Sequence, residues 1–203
     1  KKDIKISVII KKKGKSIQKI IQSVLSKLLK EKIILYGSGR TDAGVHASEQ
    51  SAHFDIKKKI QNIDKTIKSL NFFLNSKMIS IIKIKKKNFN FHARYSAKER
   101  IYVYLIQNRL SPSTINKDRE WHIRKKLDIN LIKKGCKKLV GTNDFSTFRA
   151  SNCSAKSPIR TINAILVSKS KNCIKLKFKS KSFLKNQVRS MVGCLKYLGE
   201  KKW

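Results

Sequence analysis

The stretch Gly37-Ser38-Gly39-Arg40-Thr41-Asp42-Ala43-Gly44-Val45-His46 is the densest group of turn-forming and chemically reactive residues in the sequence. The segments on either side, residues 33–36 and 47–55, have the composition of strands. Glycine allows backbone conformations that are closed to other residues, so we predict a loop over residues 37–45. No Gly-Lys-Ser/Thr sequence follows, which argues against a nucleotide-binding phosphate loop. A loop between two strands is a common place for functional side chains.

Asp42 has two interpretations from its sequence context. Aspartate before Ala-Gly is common in turns, and turn statistics alone favour a structural role. Arg40 stands two residues earlier in a chain that otherwise uses lysine, and residues two apart on an extended segment point the same way. The pair therefore also fits a shared cleft.

The regular elements around this loop follow from hydrophobic periodicity. Apolar residues recur at helical spacing in four segments, residues 16–31, 64–75, 128–140 and 184–198, the second with Asp64 as its expected cap. Strand-like patterns occupy residues 5–10, 33–36, 47–55, 78–85, 100–107, 159–168 and 173–178. The segment 100–107 alternates, so that one face is expected to carry Ile101, Val103 and Leu105 and the other Tyr102, Tyr104 and Ile106. The order is β-α-β-β-α-β followed by β-α-β-β-α, which predicts an α+β protein of two half-domains. We place the boundary so that residues 1–110 carry the Asp42 loop and residues 111–203 form a half that lacks its closing strand.

The composition favours a polyanionic partner. The 203 residues include 49 Lys+Arg and 12 Asp+Glu, a formal net charge of +37. Most of the excess is lysine, and Lys, Ile and Asn share AT-rich codons, so part of the charge reflects composition rather than selection for binding. A surface this basic nevertheless concentrates nucleic-acid phosphates. Hydrophobic residues make up 40%, enough to form a core.

Membrane and metal sites are not expected. No apolar run approaches the roughly 20 residues of a membrane span. The four cysteines form no C-x-x-C pair, which argues against zinc, and their scattered positions suit a reducing cytoplasm. We expect all four to be small buried hydrophobes. The histidines show no metal-ligand spacing and are interpreted as structural: His46, His53, His92 and His122.

Five blocks of sequence, in order along the chain, resemble the tRNA pseudouridine synthase A family. The first is Gly39-Arg40-Thr41-Asp42-Ala43-Gly44-Val45-His46-Ala47, and the second is Phe91-His92-Ala93-Arg94-Tyr95-Ser96-Ala97, which leads into Tyr102-Val103-Tyr104. The others are Asn143-Asp144-Phe145-Ser146-Thr147-Phe148-Arg149, Ser157-Pro158-Ile159-Arg160, and the late helix from Phe183 to Gly193. The likeness covers most of the chain.

The resemblance implies isomerisation of uridine to pseudouridine in the anticodon stem-loop of tRNA. The base leaves its sugar through nitrogen, rotates and rejoins through carbon, so no cofactor is implied. The resemblance also implies the pseudouridine synthase fold, in which two ferredoxin-like or RRM-like half-domains share a mostly antiparallel sheet around a central basic cleft. A cytoplasmic homodimer that binds tRNA is expected.

The resemblance assigns roles to particular residues. Asp42 is the expected catalytic carboxylate, and whether it adds to the sugar or to the ring stays open. Tyr102 is expected to stack on the base and handle a proton, and Arg189 to pair with Asp42 and keep it ionised. Arg40 and Thr41 are expected to line the space around the flipped nucleotide.

Two RNA-binding roles without catalysis are alternatives to the enzyme. A non-catalytic RNA-binding protein on a degenerate synthase scaffold would not need Asp42, Tyr102 and Arg189 together, so their joint presence favours the enzyme. A generic basic RNA-binding module would explain the charge but none of the five blocks.

Overall fold

A computed structural model of the chain describes residues 2–8 and 16–203, which form two compact units, residues 1–97 and 98–203. We predicted a boundary after residue 110 from the polar composition that follows. The strand Arg100–Asn108 instead pairs with Cys173–Ser180, so it belongs to the second unit. The boundary between the compact units therefore falls at Ala97 and Lys98, because strand pairing outweighs local composition.

The first unit has the β-α-β-β-α-β order that we predicted. Its elements are β1 (Lys2–Val8), α1 (Ile17–Leu29), β2 (Tyr36–Gly37), β3 (Ala47–Phe54), α2 (Ile63–Leu74) and β4 (Ile79–Lys86). The sheet order is β2-β3-β1-β4, and every pair is antiparallel. Residues 9 and 10 of the predicted first strand lie outside the described residues.

Helices α1 and α2 cover the core of the first unit. Ile21 and Leu25 of α1, and Leu70 and Leu74 of α2, are fully buried in one cluster with residues of β3 and β4. Capping side chains set where the helices begin. Ser16 Oγ accepts from Lys19 N at 3.3 Å to begin α1. The cap of α2 is Asn62 rather than Asp64, because Asn62 Oδ1 accepts from Lys65 N at 2.8 Å.

The predicted strand at residues 33–36 is reduced to the two residues of β2. Side chains of α1 take the place of a neighbouring strand. Gln18 Nε2 donates to Leu35 O at 2.6 Å, Leu35 N donates to Gln22 Oε1 at 3.1 Å, and Ile33 N donates to Ser26 Oγ at 3.0 Å. Ile33 and Leu35 are buried, so the apolar pattern reflected burial rather than strand pairing.

The second unit has the β-α-β-β-α order that we predicted, with two additional short strands. Its elements are β5 (Arg100–Asn108), β6 (Trp121–Ile123), α3 (Ile129–Leu139), β7 (Gly141–Asp144), β8 (Ile159–Ser170), β9 (Cys173–Ser180) and α4 (Gln187–Gly199). The sheet order is β6-β5-β9-β8-β7, in which β6 runs parallel to β5 and the other pairs are antiparallel. We did not predict β6 or β7, which at three and four residues are too short to show a period.

The α+β class and the mostly antiparallel pairing are confirmed. The described strands form two hydrogen-bonded sheets, one in each unit. In the first unit β2 and β4 are the edge strands, and in the second β6 and β7. None of the helices in residues 16–203 combines the length and the apolar character that a membrane span requires.

The cysteines are all free thiols, but only Cys136 is fully buried. Burial raises the pKa of the Cys136 thiol to about 11, so this residue fits the expected role of a small hydrophobe. Cys153, Cys173 and Cys194 are half-buried, which corrects our expectation for those three. The N–H groups of Lys185 and Ala155 beside Cys153 lower the pKa of its thiol.

Candidate active site

The first residues of the loop that carries Asp42 are held against β3. β2 pairs with β3 through Tyr36 and Gly37, and Ser38 N donates to Ser51 O at 2.9 Å. Gln50, on β3, donates from Nε2 to Gly39 O at 2.6 Å. The loop therefore projects from a fixed base formed by the first sheet.

The tip of the loop is a turn that requires a glycine. Val45 N donates to Asp42 O at 3.2 Å, and Gly44, the third residue of this turn, has a φ of 81°. That positive φ is the conformation of the third position of a type II turn, where glycine is strongly preferred. Arg40, Thr41 and Asp42 are exposed on this loop. The structure therefore presents these three candidate side chains to solvent.

An aromatic cluster lies at the base of the Asp42 loop. The rings of Tyr36 and His53 stack with centroids 5.1 Å apart, and His92 lies 4.6 Å from His53 and 6.1 Å from Tyr36. Tyr95 extends the cluster, 4.4 Å from His92. His53 is buried, and its Nδ1 accepts from Ala93 N at 3.1 Å, so this ring nitrogen carries no proton.

This cluster supports a structural role for His53 and His92. Among the residues that the structure describes, no three His, Cys, Asp or Glu side chains are arranged to hold a metal ion. The Nε2 atom of His122, on β6, lies 2.8 Å from Arg109 O, so this contact joins β6 to the segment that follows β5.

Tyr102 lies on β5 and faces the helix-covered side of the second sheet. It is half-buried, stands opposite Phe178, and meets the ring of Phe183 edge-on at 5.1 Å. The predicted alternation of β5 is confirmed, because Ile101 and Val103 are exposed on the opposite face. Tyr104 lies on the same face of β5 as Tyr102, and its ring centroid lies 6.3 Å from that of Trp121.

Arg189 is exposed in the first turn of α4. Its neighbours Val188, Met191 and Val192 are buried in the second core, which fixes the orientation of this helix. The turn before α4 is closed by Leu184 N, which donates to Gln187 Oε1 at 2.7 Å. Because Phe183 contacts Tyr102, the segment entering α4 packs on the strand that carries Tyr102.

The candidate site residues belong to different units. Arg40, Thr41 and Asp42 lie in the first, and Tyr102 and Arg189 lie in the second. Their convergence on one cleft stays a prediction.

Two further arginines of the resembling blocks hold loops of the second unit. Arg149 donates from Nη2 to Cys153 O at 2.8 Å and to Ala155 O at 2.7 Å. Arg160 donates from Nη1 to Ser157 O at 2.9 Å and to Ile159 O at 2.6 Å. These guanidinium groups therefore donate to backbone carbonyls between Cys153 and Ile159.

Sequence reasoning did not predict the aromatic cluster beside the Asp42 loop. The block at 91–97 was recognised in the sequence, but the contact of His92 with Tyr36 depends on packing between segments that are distant in the chain. No local period indicates a contact of that kind.

Comparison with known proteins places these blocks in a family. The sequence profile of the family described as tRNA pseudouridine synthase matches residues 2–96 and 136–203. Asp42 and Arg189 lie within the matched segments, and Tyr102 lies between them.

Individual relatives match over nearly the whole chain. The chain is 64% identical over 194 residues to tRNA pseudouridine synthase A of Pelagibacter ubique (strain HTCC1062), covering 96% of this chain and 79% of the relative. The corresponding protein of Paramagnetospirillum magneticum (strain ATCC 700264 / AMB-1) is 40% identical over 191 residues, or 94% and 74% of the two chains. That of Ehrlichia canis (strain Jake) is 41% identical over 187 residues, or 91% and 75%. All three are named as synthases, which gives no support to a non-catalytic RNA-binding role.

Proposed function

We propose that this chain, which belongs to the tRNA pseudouridine synthase family, isomerises uridine to pseudouridine in the anticodon stem-loop of tRNA. The observation that carries the proposal is 64% identity to a tRNA pseudouridine synthase A over 96% of this chain. The reaction breaks the glycosidic carbon–nitrogen bond and forms a carbon–carbon bond. The ring carbon loses the proton that the ring nitrogen gains, so the reaction needs no oxidant and no group donor.

Asp42 is the proposed catalytic carboxylate. Its support is a place on an exposed loop whose base is held by Ser38 and Gln50, so the side chain is offered from a defined position. An ionised carboxylate is a nucleophile that can cleave the glycosidic bond by addition. Arg40 and Thr41, exposed beside it, are proposed to contact the flipped nucleotide.

Tyr102 and Arg189 are proposed to complete the site from the second unit. A half-buried tyrosine ring held by Phe183 suits stacking on a flipped base, and its hydroxyl suits proton transfer. Arg189, exposed on the first turn of α4, is proposed to pair with Asp42 and hold it ionised. The forked guanidinium holds a carboxylate in two places, so Arg189→Lys is expected to damage catalysis although it keeps the charge.

The decisive experiment is pseudouridine mapping on tRNA transcripts incubated with the purified protein. The wild type is expected to convert uridines of the anticodon arm, and Asp42→Asn is expected to convert none. Conversion confined to another arm would refute the assignment of the anticodon arm. Undiminished conversion by Asp42→Asn would remove Asp42 from catalysis.

A homodimer that acts in the cytoplasm is also proposed. A chain of this size offers little length to bind the body of a tRNA and its anticodon arm at once, and a second copy supplies the missing surface. The four free thiols suit a reducing compartment. Because net charge opposes self-association, the contact between copies is expected at the least basic face. Sedimentation that detects only fully active monomer at micromolar concentration would refute the dimer.

A further inference from the structure

The turn at residues 92–96 is a preorganised element that exposes two large side chains, those of Arg94 and Tyr95. His92 N donates to Ser96 Oγ at 3.0 Å, Ser96 N donates to His92 O at 2.8 Å, and Arg94 N donates to His92 Nδ1 at 3.2 Å. Ala93 is buried and anchors the turn on β3 through its hydrogen bond to His53. Arg94 and Tyr95 are thereby presented to solvent on a rigid support.

Tyr95 is the exposed end of the aromatic cluster. Its side chain is 76% exposed, although its ring lies 4.4 Å from that of His92, and the guanidinium carbon of Arg94 lies 5.9 Å from its centroid. A ring this exposed buries little apolar area, so it contributes little to folding. An exposed aromatic face with a neighbouring arginine is the surface on which unpaired nucleic-acid bases stack.

The surroundings of Tyr95 favour RNA over an apolar protein partner. Residues 85–98 contain five cationic side chains and no acidic one. Tyr36, which is itself 43% exposed and lies 6.1 Å from His92, immediately precedes the loop that carries Asp42. A base bound here would lie at the foot of the catalytic loop, within the first unit.

We propose that Tyr95, supported by His92 and Arg94, is a stacking surface for an unpaired base of the anticodon arm next to the target uridine. The inference rests on the proposed function and adds a specificity-determining contact to it. By holding the neighbouring base out of the RNA stack, Tyr95 lowers the cost of extracting the uridine and selects which uridine is presented.

The test uses an RNA hairpin with the anticodon arm of a tRNA that the wild type modifies, with 2-aminopurine beside the modified uridine. Stacking on Tyr95 is expected to change the fluorescence of the bound hairpin. Tyr95→Leu is expected to abolish this change and to lower kcat/KM about five- to a hundred-fold. Tyr95→Phe, which keeps the ring face, is expected to stay within about twofold of wild type. Phe72→Leu is the matched control, because Phe72 is an exposed aromatic residue on α2 of the same unit.

The outcomes separate this inference from the proposed function. A wild type that makes no pseudouridine refutes the function itself. An active wild type whose Tyr95→Leu variant equals Phe72→Leu in fluorescence and turnover refutes the stacking surface alone. Thermal unfolding checks that Tyr95→Leu is folded. If it is not folded, Tyr95→Trp is measured instead, because tryptophan offers a larger ring for stacking and should keep the fluorescence change. Loss of the fluorescence change in Tyr95→Trp would overturn the proposal.

Discussion

Asp42 combines exposure with a fixed backbone, which is the combination that a catalytic carboxylate on a loop requires. Two hydrogen bonds hold the base of the loop, and the turn at Gly44 sets the direction of its tip. The neighbouring cluster around His53 anchors the turn that carries Tyr95. Single side chains, those of Gln50 and His53, therefore position both loops on one small sheet.

The first residue-scale prediction concerns binding by Asp42→Asn. The amide keeps the shape of the carboxylate but removes its charge, and most affinity for tRNA comes from phosphate contacts elsewhere. The tRNA dissociation constant of Asp42→Asn, measured by filter binding, is therefore expected to stay within a few-fold of wild type. A collapse of binding would make Asp42 a structural residue of the loop.

Tyr102→Phe tests whether the hydroxyl takes part in chemistry. The phenyl ring keeps the stacking face and the contact with Phe183, so the KM for tRNA should change little. Removing a general acid–base group is expected to lower kcat about a hundred-fold or more. Tyr104→Phe is the matched control, since Tyr104 lies on the same face of β5 and contacts Trp121. Equal kcat values for the two variants would contradict the role of Tyr102.

Asp128 gives a pH-dependent contribution to stability. The N–H of Leu131, together with that of Asn130 and the ammonium of Lys201, lowers the pKa of the Asp128 carboxyl. A carboxyl with a depressed folded pKa stabilises the protein above its unfolded pKa of about 4, and loses that contribution as the pH falls through the folded pKa. The Tm difference between wild type and Asp128→Ala should therefore be constant near neutral pH and narrow below about pH 4. Asp128→Asn keeps a side-chain oxygen that can accept from Leu131 N but does not titrate, which makes it the control. A Tm difference between wild type and Asp128→Ala that widens on acidification would contradict the role of Asp128 as the N-terminal cap of α3.

At the scale of elements, α3 and α4 pack so closely at Gly135 that an added Cβ would displace leucine side chains of α4. A Cβ added at Gly135 of α3 would lie 2.6 Å from Leu198 Cδ2 and 2.9 Å from Leu195 Cδ2. Gly193 of α4 has no described atom within 4 Å of the same added carbon. Two glycines in helix interiors thus have opposite surroundings.

The two alanine variants are expected to differ in stability for this reason. Gly193→Ala gains helix propensity without a clash and should stabilise by up to about 1 kcal/mol. Gly135→Ala gains the same propensity but displaces two leucines, and overpacking of a core typically costs about 1–3 kcal/mol. Urea unfolding of both variants measures the difference. A Gly135→Ala variant at least as stable as Gly193→Ala would contradict the close packing.

At the scale of the whole molecule, the net charge of +37 bears on affinity and on assembly. Lysine–phosphate contacts release counterions, so tRNA affinity should fall steeply and linearly on a logarithmic salt scale. Asp42→Asn removes no cationic side chain, so its salt dependence should have the slope of the wild type. A flat response between dilute and physiological salt would show that the charge reflects codon composition alone.

The sequence by itself determined the element order of the first unit, the loop with Asp42, the alternation of β5 and the family. Each of these follows from short-range signals: a period of two or 3.6 residues, a glycine in a turn, or an ordered block of residues. The helix from 16 to 31 was predicted because its apolar face repeats within a few residues, and α1 confirms it.

Only the tertiary structure decided the boundary at Ala97, the shortening of the strand at 33–36 and the cluster around His53. Each depends on a partner that is distant in the chain. β5 pairs with β9, and side chains of α1 accept hydrogen bonds from the backbone N–H groups of Ile33 and Leu35. Ala93 N donates to His53, which lies 40 residues earlier in the chain. A buried backbone group needs a hydrogen-bond partner, but any element with the right geometry can supply it, so local pattern cannot name the supplier.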